Sequence, residues 1–235
     1  MKIGIYGGTF NPPHLGHLAA ARTAMDALKL DKLILMPAAV PPHKVLPENS
    51  PAQEHRLAMV ERMADAMERP GAVEVSTLEL EREGKSYTSD TLEAIHRQYP
   101  EAELWLLMGT DMFLTLHLWH EPGTILRLAG ICAFGRSEQD GEDVFAPQRE
   151  FLSKTYPDAR IATITLPGLV DISSTQLREL LARERGSEYL LPSVYGYILM
   201  NRLYGTYPCL KRLELPELRA CSYSMIRHKR VAHVM

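Results

Sequence analysis

Six short apolar runs, at residues 2–6, 32–36, 73–75, 103–108, 130–134 and 160–164, alternate with stretches of helical periodicity. No other feature limits the fold as strongly. Apolar runs of this kind, without regular polar alternation, suit strands buried on both faces. A repeated strand–helix–strand order joins such strands by right-handed crossovers, giving an α/β fold with a mainly parallel sheet and helices on both faces. Helices are expected at 15–28, 51–68, 89–98, 144–156, 173–185 and 193–204. The second carries a start signal, with Ser50 as cap, Pro51 in the first turn and Gln53 three residues after the cap. Sheets of this class bind ligands beyond the carboxyl ends of their strands, where strand order reverses. Functional residues are therefore expected in the loops that follow strands.

Composition removes several functional classes. The 235 residues are 46% hydrophobic, enough for one good core, while 23% are charged and the formal net charge is −3. Nucleic-acid coats and membrane-surface proteins need a strong basic bias, which is missing. No run of about 18 apolar residues exists to span a bilayer, and the apolar opening is too short for a signal peptide. The three cysteines, Cys132, Cys209 and Cys221, have no metal-like spacing. Free thiols in a reducing compartment follow, and the expectation is a cytoplasmic protein. Residues 137–143 are acidic and polar, as in a surface loop.

The segment Gly7-Gly8-Thr9-Phe10-Asn11-Pro12-Pro13-His14-Leu15-Gly16-His17 joins the first strand to the first helix. A glycine pair there lets the backbone turn sharply and approach a phosphate. The three-glycine dinucleotide fingerprint is not present. His14 and His17 stand three residues apart at the helix start, so their rings converge above a helix N-terminus that already favours anions. Two imidazoles in that place read as donors to a phosphate chain, although surface or capping histidines would share the spacing. Zinc needs three or four ligands, and no further ligands accompany the pair.

Residues Gly8 to His17 resemble the signature of the HxGH nucleotidyltransferase superfamily, and within it the bacterial nicotinate-nucleotide adenylyltransferases. The resemblance implies a Rossmann-like sheet and in-line attack on the α-phosphate of ATP. It places His14 and His17 at the ATP phosphates as the catalytic pair, with Gly7, Gly8, Thr9 and Phe10 in the ATP loop.

A second loop, Ile172-Ser173-Ser174-Thr175-Gln176-Leu177-Arg178, follows a strand and opens a helix. Ser173 and Gln176 have capping-box spacing, which a purely structural helix start would explain. Three hydroxyls at a helix N-terminus with Arg178 one turn on also make an anion cradle. The segment matches the family pattern ISSTxxR, and the resemblance implies that Ser173, Ser174 and Thr175 hold the β- and γ-phosphates beside Ile172 and Arg178. Mg²⁺ would be carried mainly by the ATP phosphates, with no metal ligand from the protein.

The acceptor side rests more heavily on the resemblance. Pro41-Pro42-His43-Lys44 breaks regular structure after the second strand, and the family reading turns Lys44 towards substrate phosphate. Tyr87-Thr88-Ser89-Asp90-Thr91-Leu92 is similar to the family's YTxDTL element; Thr and Ser before a helix are also ordinary caps. The resemblance sets Thr88 beside the pyridine carboxylate, which favours nicotinate through a charge-assisted hydrogen bond. Gly109 and Asp111 end a strand, where an acid suits ribose hydroxyls, and the family places both against adenosine. Trp105 lies in an apolar strand and reads as core. Trp119 lies in a more polar stretch and is free to stack on a flat ligand. The family reading stacks Trp119 on the pyridine and directs the His120 backbone N–H to its carboxylate. His117-Leu118 and His120-Glu121 depart from the expected pattern. Arg136 closes a further strand as a turn residue or a substrate partner.

The resemblance covers residues 1–204, the expected nucleotidyltransferase domain. Residues 205–235 are expected to form a linker and helical tail. Its end, Ile226-Arg227-His228-Lys229-Arg230-Val231-Ala232-His233-Val234-Met235, resembles the truncated start of an HD-type phosphohydrolase domain, with His233 at the first metal-ligand position; a basic terminal helix is the alternative. The expected reaction is adenylyl transfer from ATP to nicotinate mononucleotide, without nucleic acid or membrane as partner. Rivals are the same chemistry on nicotinamide mononucleotide or phosphopantetheine, cytidylyl transfer, and a nucleotide sensor that binds without turnover. Phosphohydrolysis through the tail lacks its downstream ligands.

Overall fold

The structure is a computed structural model and describes residues 1–39, 46–135, 140–166 and 172–207. Six strands, β1 (Lys2–Gly8), β2 (Lys32–Pro37), β3 (Val73–Val75), β4 (Glu103–Gly109), β5 (Ala129–Phe134) and β6 (Ile161–Ile164), form one sheet in the order β3-β2-β1-β4-β5-β6. Every pairing is parallel, with Ile5 opposite both Ile34 and Leu106. The order reverses between β1 and β4. The crevice expected of a doubly wound sheet therefore opens above Gly8 and Gly109.

Successive side chains of a strand point to opposite faces, and the two cores divide accordingly. Ile3, Ile5, Ile34, Met36, Leu104, Leu106, Met108, Ile131 and Ala133 enter one cluster. Tyr6, Leu33, Leu35, Trp105, Leu107, Cys132 and Phe134 enter the other. The first face is covered by α3 (Thr88–Gln98), α4 (Thr110–Thr115), α5 (Pro122–Leu128) and α6 (Glu142–Thr155). The second is covered by α1 (Leu15–Leu28) and α2 (Gln53–Asp65). A third cluster joins Met59 of α2 to α7 (Ser174–Leu181) and α8 (Pro192–Met200). Trp105 is core, as expected; a Cβ added at Gly130 would meet its ring at 2.8 Å.

Four expectations need correction. The cap of α2 is Ala52 and makes no side-chain cap bond; Ser50 instead accepts a hydrogen bond from Asn11 Nδ2 at 2.9 Å. That long-range bond outweighs the local cap preference and leaves Pro51 before the helix. The second helix stops at Asp65, short of the expected 68, where Glu68 is left-handed (φ 56°). The last two helices are also shorter than expected, ending at Leu181 and Met200, because Glu184 (φ 55°), Gly186 (φ 87°) and Arg202 (φ 53°) are left-handed. Helices α4 and α5 were not expected at all. Lys44, Arg136, Cys209, Cys221 and the tail from 208 lie outside the described residues. Among the described residues no helix is long and apolar enough to cross a membrane.

Candidate active site

The first loop leaves β1 at the crevice. Gly7 and Gly8 do not make its turn, contrary to expectation: both belong to β1 and neither has positive φ. The left-handed residue is Phe10, at φ 45°. A non-glycine residue pays for this conformation through packing. Phe10 is 1% exposed and meets Tyr6 edge-on at 5.6 Å and His17 at 5.2 Å. A Cβ at Gly7 would find nothing within 4 Å, so this glycine leaves open space at the strand end.

His14 is the N-cap of α1, and His17 is its third residue. The His14 backbone N–H donates to His17 Nδ1 at 3.2 Å, and the ring centroids are 3.8 Å apart. Capping and ligand binding are therefore compatible here. An accepting Nδ1 places the ring hydrogen of His17 on Nε2.

The second loop packs directly against the first. Ser174 Oγ donates to the Pro12 carbonyl at 3.0 Å, and Arg178 Nη1 donates to the Asn11 carbonyl at 2.8 Å. Ser173 forms the expected capping box with Gln176, donating through Oγ to Gln176 Oε1 at 2.8 Å. The hydroxyl hydrogens of Ser173 and Ser174 are thus engaged by protein, whereas Thr175 accepts from Arg178 Nη2 at 3.2 Å and keeps its own hydrogen to give. Exposed Thr175 and the free N–H groups of the first turn of α7 are what this helix offers an anion. Ile172 packs on the third cluster. A cleft of about 710 Å³ borders Thr175 and Arg178 and extends to Ser50, Arg202 and Tyr204.

Across the crevice, Gly109 ends β4 and exposed Asp111 lies in the first turn of α4. Thr88 begins α3, with Tyr87 rather than Thr88 as its N-cap. The Tyr87 ring stacks 4.2 Å from His120, which brings the Thr88 segment beside the Trp119–His120 loop. Trp119 is partly buried against the first core and its Nε1 donates to Thr115 Oγ1 at 3.4 Å.

Several participants were not anticipated. Asn11 is 1% exposed, donates to Ser50 and accepts from the Tyr204 hydroxyl at 2.8 Å. Burial pushes the Tyr204 hydroxyl well above the usual phenol range. Arg56, 2% exposed, donates to the Thr9 carbonyl at 3.0 Å and the Ala38 carbonyl at 2.6 Å. The sequence held one signal for it: Arg56 shares a helical stripe with Met59, Val60 and Met63, all buried. Buried Glu79 accepts from Thr91 Oγ1 at 2.9 Å, and burial raises its carboxyl to about 7.

This combination defines a class first. A doubly wound parallel sheet with two phosphate-type helix N-termini meeting at its switch point is a nucleotide-binding design, and the family model described as cytidylyltransferase-like matches residues 5–180. Probable nicotinate-nucleotide adenylyltransferases from Gemmatimonas aurantiaca and Shewanella sp. (strain MR-7) are 35% and 39% identical to this chain. The first match covers 88% of this chain and 94% of that protein, the second 87% and 99%. The chain belongs to the nicotinate-nucleotide adenylyltransferase family. The fold matches a Plasmodium falciparum nicotinic acid mononucleotide adenylyltransferase solved with NaAD, at a TM-score of 0.70 and 19% identity, over 86% of this chain and 97% of that one.

Proposed function

We propose that the crevice transfers the adenylyl group of ATP to nicotinate mononucleotide, giving the adenine dinucleotide of nicotinate and pyrophosphate. One observation carries the reading: the N-termini of α1 and α7, from distant parts of the chain, are bonded together through Ser174–Pro12 and Arg178–Asn11 at the switch point. Two converging helix N-termini suit a ligand with several phosphates.

In this reading an acceptor phosphate oxygen attacks the α-phosphorus of ATP. A P–O bond forms, the bond from that phosphorus to the bridging oxygen breaks, and pyrophosphate departs with the bonding pair. A phosphate monoester is already anionic near neutral pH and needs no general base, so catalysis is positioning and charge stabilisation. His17 Nε2–H donates to the α-phosphate as charge develops, with His14 assisting along the phosphate chain. Thr175, the α7 N-terminus and Arg178 face the β- and γ-phosphates. Thr88, Trp119 and His120 form the acceptor wall; Lys44 and Arg136 complete it as further cations. Gly109 and Asp111 face adenosine.

Mg²⁺ enters with ATP as part of the substrate. Among the described residues no group of three or more His, Cys, Asp or Glu is placed to hold a metal. The donors present (imidazole, hydroxyl, guanidinium and backbone N–H) match phosphate oxygens, so the ion's ligands would come from the nucleotide. The metal supplies charge neutralisation on the leaving pyrophosphate. A cytoplasmic location accords with the free thiol of Cys132, the one cysteine among the described residues.

The test is pyrophosphate release with Mg·ATP and, in parallel, nicotinate mononucleotide, nicotinamide mononucleotide and phosphopantetheine. Fast release with the nicotinate substrate alone is expected. Equal rates with another acceptor would refute the assignment of Thr88 and His120 to the carboxylate, and ATP binding without any release would refute the enzymatic reading.

A further inference from the structure

Arg56 sits on the buried stripe of α2, where Met59, Val60 and Met63 serve the two cores by packing alone. A guanidinium in that position costs desolvation, and burial lowers its pKa from the usual arginine range. A methionine would fill similar space without that cost. The hydrogen bonds explain what the cation adds. Among the described residues its partners are all backbone carbonyls: Nη1 donates to Thr9 and Ala38, and Nη2 to Ala39 at 3.4 Å.

These carbonyls belong to two different loops. Thr9 lies in the phosphate loop after β1, immediately before the left-handed Phe10. Ala38 and Ala39 follow β2 and lead into the segment that contains Lys44. One buried fork therefore clamps the ATP loop and the start of the acceptor loop at a fixed separation. In-line transfer depends on that separation, because a displacement of about 1 Å between reacting groups costs about 100-fold in rate.

We propose that Arg56 is a positioning residue for the transfer, holding the donor and acceptor loops in register through its bonds to Thr9, Ala38 and Ala39. The inference rests on the adenylyl-transfer reading above. It acts on the relation between two bound substrates, so it predicts a defect in turnover rather than in the binding of ATP alone. Lysine retains the charge but offers one nitrogen in place of a planar fork, so it cannot reproduce both arms.

The experiment compares wild type, Arg56→Lys and Arg56→Met in steady-state pyrophosphate release. ATP affinity by calorimetry and thermal melting are measured on the same preparations. The expected result is kcat lowered by about 100-fold in Arg56→Met and about tenfold in Arg56→Lys, with the ATP Kd within about threefold of wild type. If Arg56→Met does not fold, Arg56→Lys decides on the same criterion. A lowered melting temperature with kcat within about threefold of wild type would reduce Arg56 to a stabilising residue and overturn the proposal. A loss of ATP affinity as large as the loss of kcat would also overturn it. Absence of turnover by wild type with every acceptor would instead refute the adenylyl-transfer reading itself.

Discussion

Glu79 makes the stability of this protein depend on pH in an unusual direction, and the magnitude follows from its surroundings. The carboxyl is 8% exposed. Burial favours its neutral form, while the hydrogen bond from Thr91 and the charge of Arg82 favour its anion; burial wins, and the group titrates at about 7 instead of 4.5. Between those values the folded state holds a proton that the unfolded chain has released. The resulting stabilisation is complete below the unfolded pKa and is lost as pH rises through the folded one. Its full size is about 3 kcal/mol, of which about 2.5 kcal/mol falls between about pH 5 and about pH 8. The proton also has a place to go. A protonated Glu79 donates to Thr91 Oγ1, which releases the Thr91 hydroxyl hydrogen for the Tyr87 carbonyl 3.2 Å away; an ionised Glu79 takes that hydrogen back. Glu79→Gln keeps a donor there and does not titrate. Urea unfolding of wild type and Glu79→Gln at both pH values cancels every other titration in the difference. Wild type is expected to lose about 2.5 kcal/mol relative to the variant on going to the higher pH, or about 5–10 °C in Tm. A difference that stays constant within about 0.5 kcal/mol would refute the burial argument.

Two further outcomes follow from the same geometry. Replacing His17 by Ala removes the donor to the developing charge, and kcat is expected to fall by about 100-fold with the ATP Kd little changed; kcat within about threefold of wild type, a loss under about 1 kcal/mol, would refute the assigned role. Cys132, fully buried in β5, has its thiol pushed up to about 12, so peptide mapping after maleimide treatment of the native protein at neutral pH should find it unlabelled, with labelling only after denaturation. Labelling of Cys132 in the native state would refute that protection.

The parallel sheet was legible because strands buried on both faces leave continuous apolar runs, as Ile3 to Tyr6 and Leu104 to Met108 do. The two helix starts proposed to hold phosphate were legible as helix starts because their groups act within one helical turn: His14 with His17, and Ser173 with Gln176. Helix α4, six residues long, and α5, seven residues, gave too little periodicity to read. Ser50 misled for a different reason: its spacing fits a cap, but its oxygen is taken by Asn11 from a distant part of the chain. The turn of the first loop was assigned to glycines because they tolerate positive φ, yet aromatic packing around Phe10 supplies the left-handed residue instead.

The misreadings at Ser50 and at the glycine turn share one physical source, and it alters how the site is understood. The first loop is fixed by partners distant from it in the chain: Arg56 on Thr9, Arg178 on Asn11, Ser174 on Pro12, and Tyr204 on the Asn11 side chain. Two of the residues that resemble phosphate ligands, Ser174 and Arg178, spend hydrogen bonds on this fastening. The third cluster, outside the sheet, extends it. Met59 anchors α2 there against Leu177 of α7 and Val194 and Ile198 of α8, and Arg56 lies one turn earlier on the same face of α2. Packing among the C-terminal helices thus sets where the Arg56 fork sits, and through it the separation of the two substrate loops. Under the positioning role proposed for Arg56, the helices that follow the last strand belong to the catalytic geometry through their packing on α2.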